Sequence, residues 1–263
     1  DGLASVTVSG SQTVPGSSDN SITEYTLKEE TRAQNYAITT KKGTLTVKAL
    51  EGEARIGITI RADSDEKTYD GSPLTKESAA LTEGSLLQGD AIDYTVRGTI
   101  TNAGEETNLL TEAAVKHGDT DVSENYVITQ ENGKLTVSPA AITLTAGSAS
   151  KPYDGTALTK NSYTKEGDFV GEDGLAGVTV EGSQTVPGTS PNTITGYTLT
   201  EGTIADNYAI SLKAGTLTVS PLENDERIAI TVTADSAAKT YDGSPLTKDR
   251  ARQTAGTLAD GDT

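Results

Sequence analysis

Lysine, asparagine and aspartate recur at matched places in this chain, and a lysine amine beside an asparagine amide is a pair that can react. Lys67 and Lys151 each follow an alternating apolar run, and Asp70 and Asp154 stand three residues beyond them. Asn125 and Asn207 open a later run in the same two stretches. With a buried acid to move the proton, such a pair forms an isopeptide bond and releases ammonia. The competing reading is plainer: the lysines lay their stems on the surface and the asparagines cap turns. Acid clusters are the second chemistry to test. Asp63, Asp65 and Glu66, and Glu223, Asn224, Asp225 and Glu226, offer hard oxygen donors near breaks in the pattern. Calcium there would stiffen a joint, but neither cluster has the loop spacing of a calcium-binding hand. No cofactor is expected; calcium is the single candidate, against a solvated charged linker.

Other catalytic sets are missing. The one histidine, His117, sits in the polar stretch Lys116, His117, Gly118, Asp119, with no cysteine or second histidine to share a zinc ion. A nucleophile triad would need that same histidine. No glycine loop closes on Gly-Lys-Thr or Gly-Lys-Ser to hold a phosphate. The expectation is a protein without catalytic residues, not an enzyme.

The elements that carry these residues are repeats. The pattern Lys-x-Tyr-Asp-Gly-x-x-Leu-Thr occurs at residues 67–75, 151–159 and 239–247. Asp70-Gly71, Asp154-Gly155 and Asp242-Gly243 read as tight turns, because aspartate bonds its own backbone and glycine reaches positive φ cheaply. Each copy follows an Ile-Thr run of period two, the mark of a half-buried strand. Tyr69, Tyr153 and Tyr241 are expected near strand ends, ring inward as core anchors, with the hydroxyl able to reach a backbone partner. A second motif closes each unit: Asn35-Tyr36, Asn125-Tyr126 and Asn207-Tyr208, then Gly-x-Leu-Thr-Val from Gly43, Gly133 and Gly215. It reads as a strand, a glycine turn and a last strand, paired as a hairpin.

The finer period is about 85 residues, within the size range of a domain. At a coarser level, residues 1–91 match 173–263 without a gap and about two-thirds identical, a superperiod of 172. Strand logic frames two whole units, 58–137 and 142–219. Residues 1–47 are then the C-terminal half of a unit, and 228–263 the N-terminal half of another. Half a β unit leaves open edges. Its ends are disordered, or the unit is framed differently, or one molecule completes the next; the first framing is preferred. The joint around Pro139 is short and should hold a fixed angle. The joints at 50–55 and 222–227 are longer and charged, and should flex or add strand. Residues 26–35 and 109–125 have weak apolar spacing and are expected to be loops.

Composition agrees with small β units. The chain has 263 residues, no Cys, Met or Trp, one Phe and ten Tyr. Large apolar side chains are too sparse for one big core. Net charge is −17 and the pI near 4.4. That repels nucleic acid and anionic lipid, and no apolar run is long enough for membrane insertion. The chain opens on Asp1 without a signal peptide, so a longer parent is expected. The expected fold is all-β, an elongated array of small Ig-like sandwiches, with β-grasp-like modules as the alternative.

The ordered set Ile-Thr, Lys-x-Tyr-Asp-Gly, Asn-Tyr-x-Ile and Gly-x-Leu-Thr-Val resembles the MBG and YDG-type tandem repeats of large bacterial surface proteins, over essentially the whole chain. The resemblance implies an extracellular, wall-anchored, adhesin-like stalk that projects a binding domain outside this stretch. The alternative is that the repeats themselves grip a host glycan or protein. That needs exposed aromatic side chains. Tyr94 alternates with Ile92 and Val96 and is expected in the core; Tyr163 and Phe169 are the ones expected to be free.

Overall fold

In a computed structural model, all residues except Asn224, Asp225 and Asp260 are described. Among them every extended element is a strand, and the only helical pieces are 3-10 turns of three residues. The chain divides into two compact units. Unit 1 holds Asp1–Thr68 and Ser72–Ser138; unit 2 holds Tyr69–Gly71 and Pro139–Thr263.

Unit 1 begins with a three-stranded sheet, β1 (Leu3–Ser9), β2 (Gly16–Leu27) and β3 (Gly43–Val47), in the antiparallel order β1-β2-β3. A complete module follows. Its strands are β4 (Ile56–Ala62), β5 (Asp65–Thr68), β6 (Ala79–Glu83), β7 (Asp90–Arg97), β8 (Gly104–His117), β9 (Thr120–Asp121), β10 (Tyr126–Glu131) and β11 (Gly133–Ser138). They form two sheets, β10-β4-β6 and β5-β11-β8-β7, with β9 beside β8. The core lies between the sheets: Ile58, Ile60 and Tyr126 from the first meet Val96, Leu110 and Val115 from the second.

Unit 2 repeats this plan with β12 (Ala140–Ala146), β13 (Ala149–Pro152), β14 (Tyr163–Glu166), β15 (Leu175–Glu181), β16 (Gly188–Leu199), β17 (Tyr208–Lys213) and β18 (Gly215–Ser220). The sheets are β14-β12-β17 and β13-β18-β16-β15. Its core joins Ile142, Leu144, Ala146, Ile194 and Tyr208. Beyond it, β19 (Thr231–Ala234) and β20 (Ala251–Ala255) form an antiparallel pair.

Three expectations need correction. The Asn-Tyr strand and the Gly-x-Leu-Thr-Val strand are not a hairpin. β10 runs parallel to β4 while β11 runs parallel to β5 in the other sheet, and β17 and β18 do the same with β12 and β13. The glycine between them is there for close approach. A Cβ on Gly133 would lie 2.3 Å from the Asp63 carbonyl oxygen, and one on Gly215 2.4 Å from that of Ala146. Residues 109–117 are not loop but the second half of β8, paired with β7 from Asp90↔His117 to Arg97↔Leu109. Residues 26–27 likewise end β2. Cross-strand pairing supplied what a weak apolar pattern did not show. The joint at 50–55 is neither strand nor free. It makes a 3-10 turn at Gly52–Ala54; Leu50 N–H donates to Asn125 Oδ1 at 2.8 Å and Arg55 Nε to the Glu124 carbonyl at 2.9 Å. The matching joint, with Asn224 and Asp225, lies partly outside the described residues.

Candidate functional site

The Tyr-Asp-Gly turns are built alike. Gly71, Gly155 and Gly243 have φ of 78°, 82° and 78°, the left-handed region where a side chain is strained. Asp154 Oδ1 accepts the Thr156 N–H at 2.9 Å and its hydroxyl at 2.8 Å, which closes an Asx turn. Lys151 Nζ then reaches over the loop to Asp154 Oδ1 at 2.6 Å and to the Thr156 carbonyl and hydroxyl. In the third copy Lys239 reaches Asp242 at 2.7 Å and Ser244 Oγ at 2.6 Å. In the first, Lys67 reaches the Ser72 carbonyl and hydroxyl.

The lysine ammonium and the turn donors hold Asp154 well below the usual carboxylate range, and Asp242 is lowered for the same reasons. Asp70 and Asp154 are exposed. They are therefore not the buried, proton-carrying acids that an isopeptide bond requires. Asn125, for its part, caps locally: its Nδ2 donates to the Val122 carbonyl at 3.1 Å and its Oδ1 takes Leu50 N–H. Asn207 is buried at the matching place. These contacts support the turn-capping reading of Lys67, Lys151, Asn125 and Asn207.

The two motif tyrosine sets have different jobs. Tyr126 and Tyr208, on the Asn-Tyr strands, are the buried anchors. Tyr126 Oη donates to Asp90 Oδ2 at 2.5 Å and accepts the Leu87 N–H at 3.0 Å. Tyr208 Oη does the same with Asp173 at 2.6 Å and Val170 N–H at 3.0 Å. Burial, then the hydrogen bond to Asp173, pushes the Tyr208 phenol up to about 12, and Tyr126 moves the same way from the same causes. His117 Nδ1 lies 2.7 Å from the other oxygen of Asp90, so the one histidine buttresses this anchor. The space beside it is about 90 Å³, small against the ~300–1,000 Å³ of ligand pockets.

Of the three tyrosines expected as core anchors, Tyr69 packs against the buried cluster of unit 2, whereas Tyr241 is exposed, and there the expectation is corrected. Within unit 2, Tyr69 stands edge-on to Tyr208, with centroids 5.6 Å apart and planes at 85°. Phe169 packs on the same ring at 4.7 Å. Tyr153 Oη donates to Asp262 Oδ1 at 2.7 Å. Tyr241 is 94% exposed. Phe169 is turned inward, which corrects its expected freedom, while Tyr163 is exposed and Tyr94 packs on the core as expected.

Sequence reasoning missed Asn108 and Asn192, both fully buried in mid-strand. Asn192 Nδ2 donates to the carbonyls of Gly147 at 2.8 Å and Lys160 at 2.7 Å; Asn108 does so to Asp63 and Lys76 at the same distances. Each ties the second sheet to the loops that leave the first. The signal was present: asparagine is depleted in strands, yet Asn20, Asn108 and Asn192 recur at one phase of an alternating run. Among the described residues no three His, Cys, Asp or Glu side chains group to hold a metal ion. Asp63 is used otherwise: its Oδ2 accepts the Ser78 hydroxyl at 2.5 Å. Among the described residues no helix is long and apolar enough to cross a membrane.

No family model matches the chain, and no curated protein matches it either.

Proposed function

We propose that this chain is a structural spacer: tandem β modules of an adhesin-like protein on the outside of a bacterial cell wall, which hold a binding domain away from the surface. The observation that carries this reading is the use made of the repeated motif. Its Lys-Asp-Gly residues close a turn and the tyrosine of its first copy packs on another ring, so what recurs is a structural turn, not a reactive cleft. The finer architecture we propose is a small sandwich whose first two strands run parallel to its last two. Those parallel pairs depart from an all-antiparallel Ig-like plan. A strongly acidic surface suits a chain crowded at a cell wall and gives nucleic acid and anionic lipid no purchase. Of the two aromatic side chains singled out for direct binding, Phe169 packs on Tyr208 and Tyr163 is exposed.

Small-angle scattering on the 263-residue chain tests the reading. A maximum dimension several times the cross-section is expected; a compact particle would sink it. A glycan array with the same chain tests direct binding, for which no signal is expected.

A further inference from the structure

In both complete modules the chain enters and leaves side by side. In the first, β4 runs parallel to β10 in one sheet and β5 runs parallel to β11 in the other. The register does not slip at the crossing between sheets. Arg61 lies opposite Glu131 and Asp65 opposite Leu135, 70 positions on in each case. The second module does the same with an offset of 68, Thr145 opposite Lys213 and Ala149 opposite Leu217. The first two and last two strands of each module are therefore one parallel ribbon that passes through both sheets.

Side chains tie the ribbon along its length. At the crossing, Ser64 Oγ accepts the Lys134 N–H at 3.0 Å, and Ser148 Oγ accepts the Thr216 N–H at 3.0 Å. Gly133 and Gly215 sit there against the opposite chain, where a Cβ would not fit. On the first ladder of module one, Arg61 Nε donates to Glu131 Oε2 at 2.6 Å. In module two the hydroxyls of Thr143 and Ser211 share a bond of 3.0 Å. The second ladder of that module runs one bond further, from Tyr153 N–H to the Ser220 carbonyl at 2.9 Å. Ile58 and Ile60, and Ile142 and Leu144, are buried on the inner face of the ribbon and keep water from that side of its bonds.

We infer that this ribbon is a mechanical clamp: tension along the chain is carried by the parallel ladders, and each complete module stays folded until both ladders fail together. Pulling on the chain draws β4 toward its N-terminal end and β11 toward its C-terminal end. Because the paired strands are parallel, those forces act along the ladders in opposite directions and load them in shear. The bonds of a parallel pair are evenly spaced, so they share the load at once. An antiparallel pair pulled from one end gives way one bond after another. The long antiparallel pair β7–β8 lies off the load path. The inference rests on the spacer reading for the load itself and names the part of the fold that bears it.

Single-molecule pulling on the full chain tests this. The sequence has no Cys, so an introduced pair alone fixes where force is applied. Asp1→Cys with Thr263→Cys pulls along the chain and loads both ribbons in shear. Glu105→Cys with Ser138→Cys, at two exposed positions, pulls the antiparallel pair β8–β11 open from the end where Val137 faces Gly104. Along the chain, two discrete events are expected from the complete modules, each releasing about 80 residues. Each should add roughly 270 Å of extended chain, less the folded span. Forced unfolding reads the barrier to unfolding. At one pulling speed, those events should need several-fold more force than opening β8–β11. Modules that yield along the chain at or below the force that opens β8–β11, or that lengthen gradually without steps, would overturn the clamp. Such a result in a chain that scattering shows to be elongated would leave the spacer reading standing.

Discussion

Residues 207–210 and residues 35–38 are the same four letters, Asn-Tyr-Ala-Ile, in two states. The first copy opens β17, laid in parallel along β12 with its tyrosine buried. The second has no strand partner and leaves its tyrosine half exposed, although its hydroxyl finds Asp1 at 2.8 Å. Local sequence is identical, so it does not decide between these states. The difference is the presence of an Ile-Thr strand to pair with. β-propensity is a preference for a pleated, half-buried surface, and that surface has to be supplied by another part of the chain.

Substitutions at matched positions sharpen this contrast. The largest effect is expected at the anchor. Tyr208→Ala should cost the second complete module about 3–5 kcal/mol, the range for emptying an aromatic site in a core. Tyr36→Ala should cost about 0.5 kcal/mol or less, as at a surface position. Denaturant melts of the two variants check the pair, and equal losses would break the comparison. Next comes the mid-strand asparagine. Asn192→Ala removes two hydrogen bonds and leaves the Gly147 and Lys160 carbonyls unpaired, about 2 kcal/mol. Asn20→Ala should change the melt little.

The smallest effect is a pH dependence confined to the complete modules. The fold favours the neutral Tyr208 phenol, whose pKa is pushed from 10 up to about 12. Its contribution is therefore fully present below pH 10 and is lost as pH climbs toward about 12. Tyr126, also raised, acts in the same direction. The melting temperature should fall across that window, and Tyr208→Phe should remove the part of the slope that belongs to its module. An unchanged slope in Tyr208→Phe would show that this phenol does not carry it.

Much of the fold was legible. The Ile-Thr runs at residues 58–60, 142–145 and 230–233 lie within or across strands β4, β12 and β19, and the Asp-Gly pairs make the turns expected of them. Short-range physics governs both: a period of two and a positive φ are written in a few adjacent residues. The errors share one cause, which is distance along the chain. The Asn-Tyr and Leu-Thr-Val strands are sequence neighbours, yet they join partners that begin about 70 residues earlier, so adjacency suggested a hairpin that does not form. Tyr69 looked like a core residue of its own unit because nothing near it showed that its ring belongs against Tyr208. Asn108 and Asn192 were passed over because a polar residue in a strand acquires meaning only when the carbonyls it serves, 32 and 45 positions away, are known.

By itself the sequence determined an all-β chain with recurring motifs and the turn at each Tyr-Asp-Gly. Those are properties of composition and of short spacings. Tertiary structure alone decided which strands run parallel and which of the motif tyrosines are buried. These depend on contacts between residues tens of positions apart, where the energy lies in burial and in paired backbone groups that no local pattern records.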